Sequence, residues 1–259
     1  MKIFSKILLI FFILTLNSSF AGTIDPNTPD EKYIEYGKKH ECVVELCGID
    51  KDSGKKFFAS AVIIKPRIVL TAAHIISDAA NNEKAFIMLN KEKINILSAI
   101  YPSEYNKDTF AVKDIAIGVL ESNANIDFYP ELYDGDDEVG KVCSIAGMGI
   151  TGNHINGANT YDGQKRAGSN IVDETFKELL VCSLKGGKKT GLEFLIANGD
   201  SGGGLFIDKK LAGINSCVMA DDKSLNSNYN DWSGHTRVSL HKPWIDKVVK
   251  ILEELQEQR

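Results

Sequence analysis

From Cys42 onward the chain alternates short apolar stretches with polar turns, at a spacing of roughly 8–12 residues. The first set is Val43–Leu46, Phe57–Ile64, Ile68–Leu70, Ala85–Leu89, Ile94–Ile100 and Ile115–Leu120. The second is Val142–Ala146, Ile171–Val172, Leu205–Ile207, Leu211–Ile214 and Thr236–Ser239. Many of these residues are β-branched, and Gly, Asn and Asp punctuate them, which predicts an all-β sandwich or barrel. Glu121 to Gly140 is turn-rich and divides the two sets, so the join of two subdomains is placed there. Gly147 to Asn170 and Asp221 to Ser233 read as polar loops. The period changes at the C-terminus: Ile245, Val248, Val249, Leu252 and Leu255 fall on one face of a helix, with Pro243 near its first turn.

The N-terminus has another pattern. Lys2 and Lys6 precede an apolar run from Ile7 to Ile13, extended to Leu16, and Ser19-Phe20-Ala21 closes it with a small-x-small exit. This describes a secretory signal peptide over residues 1–21; a spanning helix needs roughly 20 apolar residues, about twice this run. Removing 21 of the 259 residues leaves 238, enough for one all-β unit of two packed halves. Residues 22–32 read as an extended lead-in, 33–130 as an N-terminal barrel and 131–259 as a C-terminal barrel with its helix.

Composition narrows the function classes. With 43% hydrophobic and 25% charged residues the chain is not disordered. Its net charge of -5, without a basic stripe, excludes a nucleic-acid-binding surface. Five cysteines, Cys42, Cys47, Cys143, Cys182 and Cys217, leave at least one unpaired within the chain. Export permits disulfide bonds, but the spacing gives no pairing and no zinc module. His40, His74, His154, His235 and His241 have no metal-ligand spacing.

Three segments carry chemistry. Thr71-Ala72-Ala73-His74 follows an apolar strand, Asp114-Ile115-Ala116-Ile117 opens another, and Gly199-Asp200-Ser201-Gly202-Gly203-Gly204 precedes a third. A serine hydroxyl needs an adjacent base to act as a nucleophile; histidine suits that role, and a buried carboxylate fixes its tautomer. Without a side chain, Gly199 can turn its N–H toward a substrate and form, with the N–H of Ser201, a two-donor oxyanion hole.

These segments, in the order His, Asp, Ser, resemble the signatures of the trypsin/chymotrypsin family of serine proteases. Ala61–Leu70, Cys143–Gly149, Leu211–Ser216, Thr236–Val238 and Trp244-Ile245 extend the resemblance over roughly residues 33–253. It implies two six-stranded antiparallel barrels with a C-terminal α-helix and a cleft between the barrels. It also implies His74 as general base, Asp114 as its orienter, Ser201 as nucleophile, and Gly199 and Ser201 as the oxyanion hole. The expected activity is that of a secreted or periplasmic serine endopeptidase: a monomer acting on protein or peptide through an acyl-enzyme, without cofactor or metal. A non-catalytic binding module and a serine esterase are the alternatives on the same fold.

The departures from the family bear on activation and specificity. The family's processed forms begin Ile-Val-Gly-Gly, and the new amino group pairs with the carboxylate beside the nucleophile, here Asp200. Tyr33-Ile34-Glu35-Tyr36-Gly37 is the nearest counterpart and matches poorly. The expectation is therefore that Asp200 pairs with an internal cation and that the chain is active once its signal peptide is gone. Family cysteines are replaced at Ile75, Ala197 and Ile207, so Cys143 lacks its family partner. The substrate pocket is assigned to Leu195, Ser216, Val218 and Ser233. Leu195 stands where trypsin-like members carry an aspartate, and Val218 where larger pockets carry glycine. The pocket then prefers small or medium apolar residues before the scissile bond. A rival reading puts an acidic residue there, with His235 as its partner.

Overall fold

The computed structural model describes residues 22–50, 54–77, 85–109, 111–220 and 224–257. The signal peptide assigned to residues 1–21 lies outside them. In chain order the elements begin with β1 (Thr23–Ile24), α1 (Asp30–Lys38), β2 (Val43–Ile49), β3 (Lys56–Lys65), β4 (Ile68–Thr71) and α2 (Ala73–Ile76). There follow β5 (Ala85–Leu89), β6 (Glu92–Ile100), β7 (Ala116–Leu120), β8 (Val142–Gly147), β9 (Thr151–Asn153), β10 (Gly157–Thr160) and β11 (Arg166–Ile171). The chain ends with β12 (Glu174–Phe176), β13 (Leu179–Ser183), β14 (Phe194–Leu195), β15 (Gly204–Ile207), β16 (Lys210–Ala220), β17 (Asp231–Arg237) and α3 (Val238–Glu257).

Strands β2-β3-β4-β7-β6-β5 close into a six-stranded barrel, and β11-β8-β15-β16-β17-β13-β12 form a seven-stranded sheet. The period of two along a strand explains the unbroken apolar run in β3. Ala59, Ala61 and Ile63 point into the barrel, beside Leu46, Ile87 and Ile96. Val62 and Ile64 point the other way and pack with Phe206, Leu211 and Ile214 of the second sheet and with Val238, Ile245 and Val249 of α3. Both faces of β3 are thus covered largely by apolar side chains, and the two halves share an apolar seam.

The third sheet, β10-β9-β1-β14, lies in a region read from the sequence largely as loop. Its Gly and Asn residues signal turns, yet here they allow tight pairing: a Cβ at Gly152 would lie 2.0 Å from the Gly157 carbonyl oxygen. The segment read as an extended lead-in contains β1 and the start of α1, where Asp30 and Glu31 occupy the first turn. The C-terminal helix begins at Val238, so Pro243 lies inside it. β17 begins at Asp231, inside the second expected loop. β12 and β13 are strands that the apolar pattern does not mark. The second half also has one strand more than the six expected, because the short β12 adds to the edge of β13.

None of the five cysteines is in a disulfide. The Cys143 and Cys182 sulfurs, both buried in the second half, lie 3.9 Å apart. Among the described residues no helix is long and apolar enough to cross a membrane.

Candidate active site

His74 sits in the short helix α2, directly after the buried strand β4, and Asp114 lies just before β7, the next strand of the same barrel. The His74 Nδ1–H donates to Asp114 Oδ2 at 2.8 Å, and the His74 backbone N–H donates to Oδ1 at 2.9 Å. One carboxylate therefore fixes both the ring and the backbone of its partner. Burial pushes the Asp114 carboxyl up, but His74 and the hydrogen bonds outweigh it and hold it below its ordinary value. Burial alone would lower the His74 pKa, and the facing Asp114 charge turns the shift upward. The imidazole side chain is 32% exposed, so its far edge faces the cleft.

The second half reaches this pair from below. Ser216 on β16 donates its hydroxyl to Asp114 Oδ2 at 2.6 Å, and Thr236 on β17 donates to the Asp114 carbonyl at 2.9 Å. Sequence resemblance assigns Ser216 to the substrate pocket. Its hydroxyl lies on the carboxylate that holds the His74 ring, a contact that no motif within one segment reveals.

Ser201 lies in the turn between β14 and β15. Gly199 and Gly202 both have positive φ, +87° and +86°, which glycine adopts without steric cost. A Cβ at Gly202 would come within 2.1 Å of both the Ser60 carbonyl oxygen and Thr71 Oγ1. The turn is thus pressed against the first barrel, and the contacts reflect that. Ser60 N–H donates to the Ser201 carbonyl at 2.9 Å. Ser60 Oγ donates to the Gly199 carbonyl at 2.9 Å and accepts from Met148 N–H at 2.9 Å. Thr71 Oγ1 donates to the Ser60 carbonyl at 2.8 Å. Among the described residues, no hydrogen bond joins the Ser201 hydroxyl to His74; such contacts often tighten only with substrate in place.

Asp200 is 1% exposed. Its carboxylate accepts N–H groups of Gly149 (3.0 Å), Ala197 (3.1 Å) and Gly22. Among the described residues no cation is hydrogen-bonded to it, in contrast to the internal cation expected there. The charged group that acts on it, Arg166, spends its own N–H groups on Asp30, Asp162 and the Gln164 carbonyl.

The other residues assigned to the pocket by resemblance are Leu195, Val218 and Ser233, with His235 in the rival reading. Leu195 is buried and pairs with Thr23. Ser233 is buried, and its Oγ accepts the Ile196 N–H at 2.9 Å. Val218 packs against the apolar core of the second half. His235 is buried and donates from Nδ1 to Asn215 Oδ1 at 2.9 Å, while its Nε2 has no hydrogen-bond partner among the described residues. Burial pushes its pKa down to about 3. No group of three or more metal-ligating side chains occurs among the described residues.

A six-stranded barrel facing a second antiparallel half, with a His–Asp pair on one and a Gly-Asp-Ser-Gly turn on the other, defines a chymotrypsin-like protein. The sequence model of the Trypsin family matches residues 47–245, and the chain belongs to that family. Mast cell protease 8 of Mus musculus is 28% identical over 221 residues, 78% of this chain and 83% of that protein. Two solved structures share the fold at 19% identity. HL collagenase has a TM-score of 0.66, over 82% of this chain and 94% of its own. Neuropsin, a serine protease expressed in the limbic system of mouse brain, has a TM-score of 0.63, over 81% and 95%. Family membership supports a serine protease, and hence hydrolase, function acting on protein or peptide.

Proposed function

We propose that this protein is a serine endopeptidase in which Ser201 is the nucleophile, His74 the general base and Asp114 the group that orients it. The carrying observation is the Asp114 carboxylate, held between His74 Nδ1 at 2.8 Å and Ser216 Oγ at 2.6 Å, with the Gly199-Asp200-Ser201 turn docked against the same barrel. An imidazole whose Nδ1–H is committed to a carboxylate presents Nε2 as a proton acceptor. Ser201 Oγ attacks the scissile carbonyl carbon, and its proton passes to His74 Nε2. The N–H groups of Gly199 and Ser201 stabilise the oxyanion that forms; one such donor contributes roughly 2.7–4 kcal/mol. His74 then gives its proton to the departing amine, leaving an acyl-serine. Water repeats the sequence, attacking the acyl carbon as His74 takes its proton, and Ser201 is regenerated.

The specificity reading is a narrow uncharged pocket for small or medium apolar side chains. Leu195 supplies no counter-ion, and a charged side chain buried without one is costly. The acidic rival needs His235 to offer a proton. With Nδ1–H committed to Asn215 and a pKa of about 3, the ring is neutral at working pH and its Nε2 accepts rather than donates. The protein is proposed to work outside the cytoplasm once its leader is removed.

The test is covalent labelling of the chain beginning at Gly22 with a fluorophosphonate, beside a Ser201→Ala control. The expected result is labelling lost in the control, with its circular dichroism unchanged. A correctly folded protein that is never labelled, or is still labelled in the control, overturns the assignment. A peptide library then reads specificity; strong cleavage after Glu or Asp overturns the apolar pocket.

A further inference from the structure

Asn215 lies in β16, fully buried, and every polar group it has is engaged, three of them on the turn that holds Ser201. Its backbone N–H donates to the Gly203 carbonyl at 2.9 Å, and its carbonyl accepts the Gly202 N–H at 2.8 Å. Its Nδ2 donates to the Asp200 carbonyl at 3.2 Å and to the Ala146 carbonyl of β8 at 3.0 Å. Its Oδ1 accepts from His235 Nδ1 at 2.9 Å. A Cβ at Gly203 would lie 2.8 Å from Asn215 Nδ2, so a glycine there lets the amide reach under the turn.

The neighbours of this amide fix which way round it sits. Two carbonyl oxygens can be served only by its NH2 end, so Oδ1 faces His235. A carboxamide oxygen accepts and cannot donate, so His235 carries its proton on Nδ1. His235 is itself fully buried on β17, and burial keeps its ring uncharged. A polar pair this deep costs desolvation that an apolar pair of similar volume would avoid, and His235 Nε2 has no hydrogen-bond partner among the described residues. As a device for filling the core the pair is a poor choice. What it supplies is direction, as buried polar networks do.

The Asp200 carbonyl matters because of the bond that follows it. The C=O of Asp200 and the N–H of Ser201 belong to one planar trans peptide unit and point in opposite directions across it. The Gly203 N–H, at 2.8 Å, and Asn215 Nδ2, at 3.2 Å, both hold that carbonyl. The Ser201 N–H is thereby turned the opposite way, and rotation of the peptide would break both bonds. The preceding unit is fixed from the other half, where Ser60 Oγ donates to the Gly199 carbonyl at 2.9 Å. We propose that Asn215 is a positioning residue for the oxyanion hole, acting on the Ser201 N–H through the Asp200 carbonyl, and that His235 holds the Asn215 amide in the orientation this requires. The proposal deepens the serine protease reading above and rests on it for its activity readout.

The experiment measures kcat and KM on one peptide substrate, and the fluorophosphonate labelling rate, for the parent chain and for Asn215→Leu, His235→Leu and His235→Gln. Leucine keeps much of the volume and removes the hydrogen bonds, whereas glutamine keeps a side-chain N–H for Asn215 Oδ1. In Asn215→Leu, kcat and the labelling rate should fall roughly tenfold or more, short of the loss from deleting one oxyanion donor outright. KM should change little, because the oxyanion contact forms only in the transition state. His235→Leu should show a smaller fall in the same sense, and His235→Gln should recover most of it. A folded Asn215→Leu with the parent kcat overturns the proposal and leaves the protease reading standing; so does a raised KM at unchanged kcat, which would place Asn215 in substrate binding. Equal losses in His235→Leu and His235→Gln overturn the role of the His235 N–H. If Asn215→Leu does not fold, the two His235 variants decide. A parent chain that neither cleaves nor labels overturns the protease reading. The peptide geometry is then read from the backbone amide resonance of Ser201 in nuclear magnetic resonance spectra: its displacement in Asn215→Leu supports the positioning, and its constancy overturns it.

Discussion

The two halves of the molecule are built on different physical terms. Among the strands of the first barrel, from β2 to β7, the buried polar side chains are Ser60, Thr71 and Asp114, and all three are spent on the site. The interior itself is aliphatic. The second half buries Glu138, Arg166, Asn170, Asp200, Asn215, Ser233 and His235, most of them hydrogen-bonded to backbone or to one another. The half that holds the proposed base and its orienter is a dry frame whose stability comes from burial of apolar area. The half that holds the proposed nucleophile uses internal polar groups to keep a positive-φ turn in place. Chemistry should therefore fail independently of folding in the first half, while folding in the second should depend on pH.

The largest expected effect tests the first clause of that contrast. Asp114→Asn keeps the shape of the carboxylate but places an amide against His74 Nδ1, which favours the wrong tautomer. Turnover should fall by about 10⁴-fold, with the thermal midpoint nearly unchanged; steady-state kinetics and calorimetry on one preparation read both. Next in size is Ile63→Ala on β3. Ile63 is fully buried inside the barrel, and the truncation should cost about 2–5 kcal/mol of stability. Turnover per folded molecule should hold, because the side chain points away from the cleft. Denaturant unfolding beside active-site titration checks it, and a large drop in turnover would deny that the frame and the chemistry are separable.

Ser60, three residues before Ile63 on the same strand, faces the other half, and its variant sharpens the comparison. Ser60→Ala removes the donor to the Gly199 carbonyl and the acceptor of Met148 N–H. Buried backbone groups left unpaired cost roughly 1–3 kcal/mol. Because one of them holds the Gly199 peptide, kcat should fall while KM changes little. An unchanged kcat would mean that the nucleophile turn does not need its seat on the first barrel.

The same division decides which parts of the molecule are legible in the sequence. The barrel strands read clearly because apolar burial leaves a pattern: β3, β4 and β7 are dominated by Ala, Val, Ile and Leu and are largely buried. The His74, Asp114 and Ser201 segments also read clearly, since each chemical role demands a residue type beside a recognisable strand or turn. The hidden parts depend on contacts between distant segments. Ser216 is one hydroxyl in an apolar strand, and its place on Asp114 exists only after both halves have docked. β9 and β10 hide behind glycines that serve close backbone approach rather than turns. β13 is a short apolar run, Leu179 to Ser183, with no alternation to mark it, because its side chains are all buried.

The smallest effect belongs to pH. An unfolded imidazole takes up its proton near 6.5, whereas burial holds folded His235 neutral down to about 3. Between those values the unfolded state binds more protons than the folded one, so stability is fully present above about 6.5 and is lost as pH falls toward 3. His154, in the loop against β1 and held down to about 4 by burial, adds to the same slope from the second half. In the first half, His40 just before β2 is also held below its ordinary value by burial and adds to that slope, whereas His74 shifts the other way: its raised pKa makes its contribution strongest in acid and lost as pH rises. His235→Gln keeps a donor within reach of Asn215 while removing the titrating ring. The slope of thermal midpoint against pH between about 4 and 6 should flatten by the equivalent of roughly one proton, with the midpoint at about pH 7.5 little changed. An unaltered slope would show that acid sensitivity does not arise from the polar interior of the second half, and the contrast between a dry frame and a wet one would lose its thermodynamic basis.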